Sequence, residues 1–186
     1  SVLMDNFKAG YMATMHLIDW GHSRIGYIHG QKNSLASEQR YLGYCQAMRN
    51  FGLTINDEDV FEGDLKMESG YAIAKKIARS EHTPSGMIIS NDMTALGFLA
   101  GCKEENIQIP QSLSVVSFDN IQFASLANIQ LTTVSQHVEN MGRNAAELML
   151  NRLSDPKCSI RRIILDPELI VRKTTAPFNG FLQREE

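Results

Sequence analysis

The sequence predicts an α/β fold in which mainly parallel strands carry helices on both faces. Short apolar runs such as Gly86 to Ile89 and Leu113 to Phe118 have the character of strands buried on both sides. Amphipathic stretches of helical period separate these runs, so successive strands return to one sheet through crossover helices. With 43% hydrophobic and 21% charged residues, the 186-residue chain has an ordinary globular composition and the length for one good core or two small lobes.

The elements follow in order. A strand at Val2 to Met4 opens the chain abruptly, as a cut inside a larger protein would. Tyr11, Met12, Met15, Leu17 and Ile18 recur at helical spacing between Lys8 and Trp20, and Gly21 supplies a C-cap. Arg24 to Ile28 reads as a short buried strand, and a helix from Ser37 to Asn50 ends at Phe51 and Gly52. Asp59 to Glu62 is a brief strand, with a loop over Gly63 to Met67. From Glu68 to Ser80, Tyr71, Ala74, Ile77 and Ala78 share one helical face. After the strand Gly86 to Ile89, the side chains of Ser90, Asn91 and Asp92 suit capping of a helix over Met93 to Glu104. Leu113 to Phe118 and Leu131 to Val134 are strands. A helix over Val138 to Leu153 places Val138, Met141, Ala145, Leu148 and Met149 at the expected intervals, with the methionines as packing residues. Ile163 to Leu165 and Leu169 to Arg172 are strands parted by a turn at Asp166 and Pro167.

Composition narrows the function. Eighteen basic against 21 acidic residues give a net charge of -3, so no global basic field attracts a phosphate backbone. The three cysteines lie far apart without ligand spacing, which argues against a disulfide framework or a structural zinc and for a reducing cytoplasm. No apolar run is long enough for a membrane span. The five histidines fall in separate elements or flank one strand on opposite sides, so no metal site is expected. Nucleophile-elbow, phosphate-loop, zinc-protease and dinucleotide motifs are all missing; neither an enzyme nor a cofactor is expected.

In parallel sheets small ligands sit beyond the carboxyl ends of the strands, which singles out four loop residues. Arg40 presents a planar fork suited to paired hydroxyls or a carboxylate; the alternative is a surface arginine paired with Glu38 or simply solvated. Asn91 can both donate and accept, as a sugar hydroxyl or heterocycle edge requires, although helix capping competes at Asn91 and more so at Asp92. Asp119 follows a strand and can accept from adjacent hydroxyls, or organise a turn. Gln136 either reaches the cleft or serves the start of the following helix.

Several phrases in register resemble the sensor domain of the lactose and purine repressor (LacI/GalR) family. They are Met4-Asp5-Asn6 before Gly10, the run from His16 to Ile28, Arg40 to Tyr44, Gly63-Asp64, Ser69 to Tyr71, and Ser90 to Gly97. Ile109-Pro110, Leu113 to Asp119, Leu131 to Val134, and Glu168 to Arg172 before Thr175 to Pro177 continue it, so it covers residues 2 to 177. The resemblance implies a periplasmic-binding-protein-like fold with a complete C-terminal lobe and a truncated N-terminal lobe. Residues 1–22 and 137–160 would form the incomplete N-terminal lobe, 23–136 and 161–177 the C-terminal effector-binding and dimerisation lobe, and 178–186 a tail. It also implies a small effector, a sugar or sugar derivative, held by Arg40, Asn91, Asp119 and Gln136. Leu65 stands where several relatives place an aromatic side chain, so ring stacking is lost there. Expected partners are a second copy through the C-terminal lobe and operator DNA through an N-terminal domain outside this chain. Competing readings are a periplasmic sugar receptor of an uptake system, a dimerisation-only module, and, with least support, an enzyme on the same scaffold.

Overall fold

The structure is a computed structural model that describes residues 1–178; the remainder of the expected tail, 179–186, lies outside the described residues. Among the described residues five α-helices and eight strands follow one another: β1 (Val2–Met4), α1 (Asn6–Asp19), β2 (Ile25–Ile28), α2 (Leu35–Asn50), β3 (Val60–Phe61), α3 (Met67–Ala78), β4 (Gly86–Ile89), α4 (Asp92–Glu104), β5 (Ser114–Asp119), β6 (Thr132–Ser135), α5 (Val138–Ser154), β7 (Ile163–Leu165) and β8 (Glu168–Ile170). Each predicted element is present, with ends shifted by a few residues where capping decides them. Asp5 accepts from the Lys8 amide and so starts α1 at Asn6 rather than Lys8. Ser34 caps α2 in the same way.

The main sheet has six strands in the order β3-β2-β4-β5-β6-β8. All its pairings are parallel except the last, where β8 runs antiparallel to β6. The period of two sorts the strand side chains onto two cores. Met87, Ile89 and Val115 join Ile73, Ile77 and Phe98 of α3 and α4 on one face. Ile88, Val116 and Phe118 join Leu17, Tyr44 and Met48 of α1 and α2 on the other. Each large aliphatic side chain so enclosed contributes about 1.5–3 kcal/mol.

Each helix pair crosses at glycines. A Cβ on Gly10 would stand 1.9 Å from the Arg40 carbonyl oxygen, and one on Gly43 2.1 Å from that of Phe7. Gly70 and Gly97 do the same for α3 and α4, at 1.9 Å from Thr94 O and 1.8 Å from Met67 O. Backbone thus meets backbone, which fixes where Arg40 leaves α2.

The packing redraws the lobe limits expected from sequence. Helix α1, expected with an N-terminal lobe over residues 1–22, buries Ala13 and Leu17 against the six-stranded sheet. Conversely β7, expected with the C-terminal lobe, pairs parallel with β1 in a separate two-stranded sheet, Val2 opposite Ile163. A turn separates β7 from β8 as expected, yet the two strands enter different sheets. None of the residues of α5 is buried, and its apolar residues Val138, Met149, Leu150 and Leu153 face outward.

Candidate functional site

The carboxyl ends of β4, β5 and β6 and the start of α1 converge on Arg40. The residue is 6% exposed, and its guanidinium donates through Nε to Asn6 Oδ1 at 2.9 Å and through Nη1 to the Ser90 carbonyl at 2.7 Å and stands 4.6 Å over the Phe118 ring. Nη1 also lies 3.6 Å from Asp119 Oδ1. The alternative of a solvated arginine paired with Glu38 does not describe it: Arg40 is buried, and its contacts are Asn6, Ser90, Phe118 and Asp119. Burial weakens its hold on the proton while the Asp119 charge strengthens it.

Asp119 ends β5 at a φ of 114°, and Asn120 follows at 53°, both in the left-handed region. The turn directs the Asp119 carboxylate toward Arg40 and toward Gln136, whose Nε2 donates to Asp119 Oδ1. Burial pushes the carboxyl up to about 6, opposed by Arg40 and reinforced by the nearby Asp92 charge. Gln136 is positioned by the end of β6 and by His137, another left-handed residue at φ 48°. Arg40, Asp119 and Gln136 are therefore brought together, with the acid exposed enough (27%) to meet a ligand.

Asn91 and Leu65 form a second group. Asn91 is the N-cap of α4: its Oδ1 accepts from Thr94 N at 3.0 Å, and its Nδ2 donates to the Leu65 carbonyl at 3.2 Å. Both ends of the amide are thus engaged within the protein, and the capping expected more of Asp92 falls to Asn91. Leu65, at φ 68°, lies over Gly30, where a Cβ would come within 2.8 Å of Leu65 Cδ2.

Sequence reasoning missed three residues here. Asn6, quoted only as part of a phrase, orients the Arg40 fork. Asp92 is fully buried and receives bonds from Ser117, Thr133 and the Ile121 amide. Arg172 donates to Asn120 Oδ1 and the Leu131 carbonyl, both at 2.7 Å. Only position relative to the strand ends could have found Asn6 and Asp92; nothing in the local sequence marks Arg172.

Among the described residues no cluster of three or more His, Cys, Asp or Glu side chains is arranged to hold a metal ion. No helix among them is long and apolar enough to cross a membrane. The chemistry available is a cation, an acid and an amide gathered at the carboxyl ends of β5 and β6. Such a set has the donors and acceptors that neighbouring hydroxyls require: a carboxylate accepts, a guanidinium donates, and an amide can do either.

The periplasmic binding protein-like domain family matches residues 14–175. The HTH-type transcriptional repressor PurR of Vibrio vulnificus is 34% identical over 178 residues, covering 95% of this chain and 53% of that protein. This chain therefore spans about half the length of the curated relatives it matches. A LacI-family transcriptional regulatory protein from Corynebacterium glutamicum superimposes with a TM-score of 0.82 at 32% identity, covering 96% of this chain and 67% of that one. A LacI family transcriptional regulator from Enterococcus faecium, solved with bound ribose, gives 0.87 at 26% identity, with 96% and 65% covered. The parallel strand order, the residues gathered at the strand ends and these matches agree: the chain belongs to the periplasmic binding protein-like domain family, in the form of the LacI/GalR effector-binding domain.

Proposed function

We propose that this chain is the effector-sensing part of a DNA-binding transcription repressor, and that its effector is a small polyhydroxylated molecule, a sugar or sugar derivative. The observation that carries the reading is the convergence of Arg40, Asp119 and Gln136 at the carboxyl ends of parallel strands. Leu65 supplies an apolar wall at the edge, and Asn91 contributes by fixing the Leu65 loop. The ribose-bound neighbour supports a sugar. The chain acts by binding rather than by catalysis, in the cytoplasm.

The six-stranded lobe is also the dimerisation unit in this reading. Met67, Met93 and Phe123 are exposed apolar side chains at the starts of α3 and α4 and in the loop after β5, and a second copy would cover them. Operator DNA is read by a domain outside this chain, consistent with its net charge of -3. Effector binding shifts the population of lobe arrangements, and the dimer passes that shift to the DNA-binding domains.

The test is binding of the natural-length protein to DNA from its own promoter, with and without sugars. Sequence-specific binding that a sugar strengthens or releases is expected. DNA binding that no sugar affects, or sugar binding with no affinity for DNA, overturns it; the latter is the behaviour of an uptake receptor.

A further inference from the structure

Asp92 is the least expected group in the molecule: a carboxylate with 0% exposure at the first position of a helix it does not cap. Isolated burial of such a charge is costly, so its partners must account for it. Oδ1 accepts from Ser117 on β5 and, at 2.7 Å, from Thr133 on β6; Oδ2 accepts from the backbone amide of Ile121 at 2.8 Å. These donors flank Asp119 and Asn120. Thr133 Oγ1 also accepts from the Asn120 amide at 3.3 Å, and Arg172 holds the Asn120 side chain from the other side.

Two consecutive non-glycine residues at positive φ persist only where their surroundings over-determine them. We propose that Asp92 is a positioning residue of the effector site: its buried carboxylate clamps β5, β6 and the Ile121 amide into one unit that holds the left-handed Asp119-Asn120 turn and aims Asp119 at the ligand. The aim of Asp119 at a ligand rests on the proposed effector function; the clamp itself does not.

The charge of Asp92 adds a second effect. The charged groups facing Asp119 are Arg40 from α2, which favours its ionised form, and Asp92 from α4, which opposes it. Arg172 acts on Asp92 in turn, and burial raises the Asp92 carboxyl as well. Asp92→Asn removes the like charge and the charge-assisted bonds: with its Oδ1 kept on the Ile121 amide, its Nδ2 meets the Ser117 and Thr133 hydroxyls, which must turn from donating to accepting. The turn then loosens and Asp119 moves toward an ordinary carboxylate.

Carboxyl-carbon NMR on the whole chain without ligand tests this, with Asp119 assigned through Asp119→Asn. Wild type is expected to titrate near 6. In Asp92→Asn the inflection falls toward the ordinary carboxylate range, and amide exchange at Asn120 and Ile121 quickens at least about tenfold while β2 and β4 amides change little. Unchanged titration and exchange would overturn the proposal, as would equal acceleration across the whole sheet, which marks a general stabilising role. Should Asp92→Asn fail to fold, Thr133→Val, which removes one donor, is expected to show the same local exchange. Adding D-ribose to wild type tests the effector reading separately, because the NMR outcome requires no ligand.

Discussion

Arg40 and Asp119 stand 3.6 Å apart beyond the carboxyl end of β5, the arginine held over Phe118 and the acid held by a left-handed turn. Neither is free to adapt to the other. One planar group serves Asn6, Ser90 and Asp119 at once, which a lysine ammonium cannot reproduce. Arg40→Lys is expected to weaken effector binding by about 2 kcal/mol, roughly 30-fold in Kd, by titration calorimetry. Equal affinity in the variant would remove Arg40 from the site.

The acid also gives a pH dependence with a definite sign. The Asp119 carboxyl ordinarily titrates at 3.8 and is raised to about 6 in the fold. The folded state therefore retains the proton longer than the unfolded one, and this contribution to stability is complete below 3.8 and lost as pH rises through about 6. Asp119→Asn lacks that loss, so its stability relative to wild type improves between pH 4 and 7 by roughly 2 kcal/mol, a figure reduced for partial exposure. Denaturant melts of both proteins across this range check it. Hydroxyl binding by the ionised acid has the opposite trend and weakens below about pH 6.

Gly43 tests how the helix pair positions the site. A Cβ there would stand 2.1 Å from the Phe7 carbonyl oxygen and 2.6 Å from the Tyr11 amide, both backbone atoms. Gly43→Ala should cost about 1–3 kcal/mol or more by overpacking. Because the same crossing seats Arg40, effector affinity should fall in the folded fraction too; unchanged stability would show that the helices separate easily.

Leu65, whose carbonyl is held by Asn91, gives the proposed site an aliphatic rather than an aromatic wall. Replacing it with Trp adds an aromatic face and should improve binding of a sugar or base by about 0.5–1.5 kcal/mol, up to roughly tenfold. The left-handed φ of 68° is already accommodated by leucine, so the change adds little backbone strain. A loss of affinity would mean that Leu65 closes directly on the ligand.

Helix α5 leaves Met149, Leu150 and Leu153 each more than 60% exposed, beside a groove of about 640 Å³ that includes Leu148 and Ile160. Uncovered apolar surface of this kind promotes association. The isolated chain is expected to bind a hydrophobic dye and to self-associate as its concentration rises, and Leu150→Lys with Leu153→Lys should reduce both. Light scattering that shows a concentration-independent monomer would contradict this.

Much of the fold was legible because its signals are local. Strands such as Gly86 to Ile89 are short and wholly apolar, and α3 carries Ile73, Ala74 and Ile77 on one face. Lobe membership was less legible, since the apolar face of α1 looks the same whichever sheet it covers, and the partner of β7 is Val2 to Met4 at the far end of the chain. At the site, Arg40 and Asp119 could be found from their places after strands. The roles of Asp92 and Arg172 depend on contacts across widely separated residues, Asp92 with Thr133 and Arg172 with Asn120, which no spacing in the sequence reveals.

The most direct test is calorimetric titration of the natural-length protein with a panel of pentoses, hexoses and disaccharides, run in parallel on Asp119→Asn. The account predicts saturable binding of at least one sugar by wild type and at least tenfold weaker binding by the variant. Failure of every sugar to bind, or binding that Asp119→Asn leaves unchanged, would contradict it.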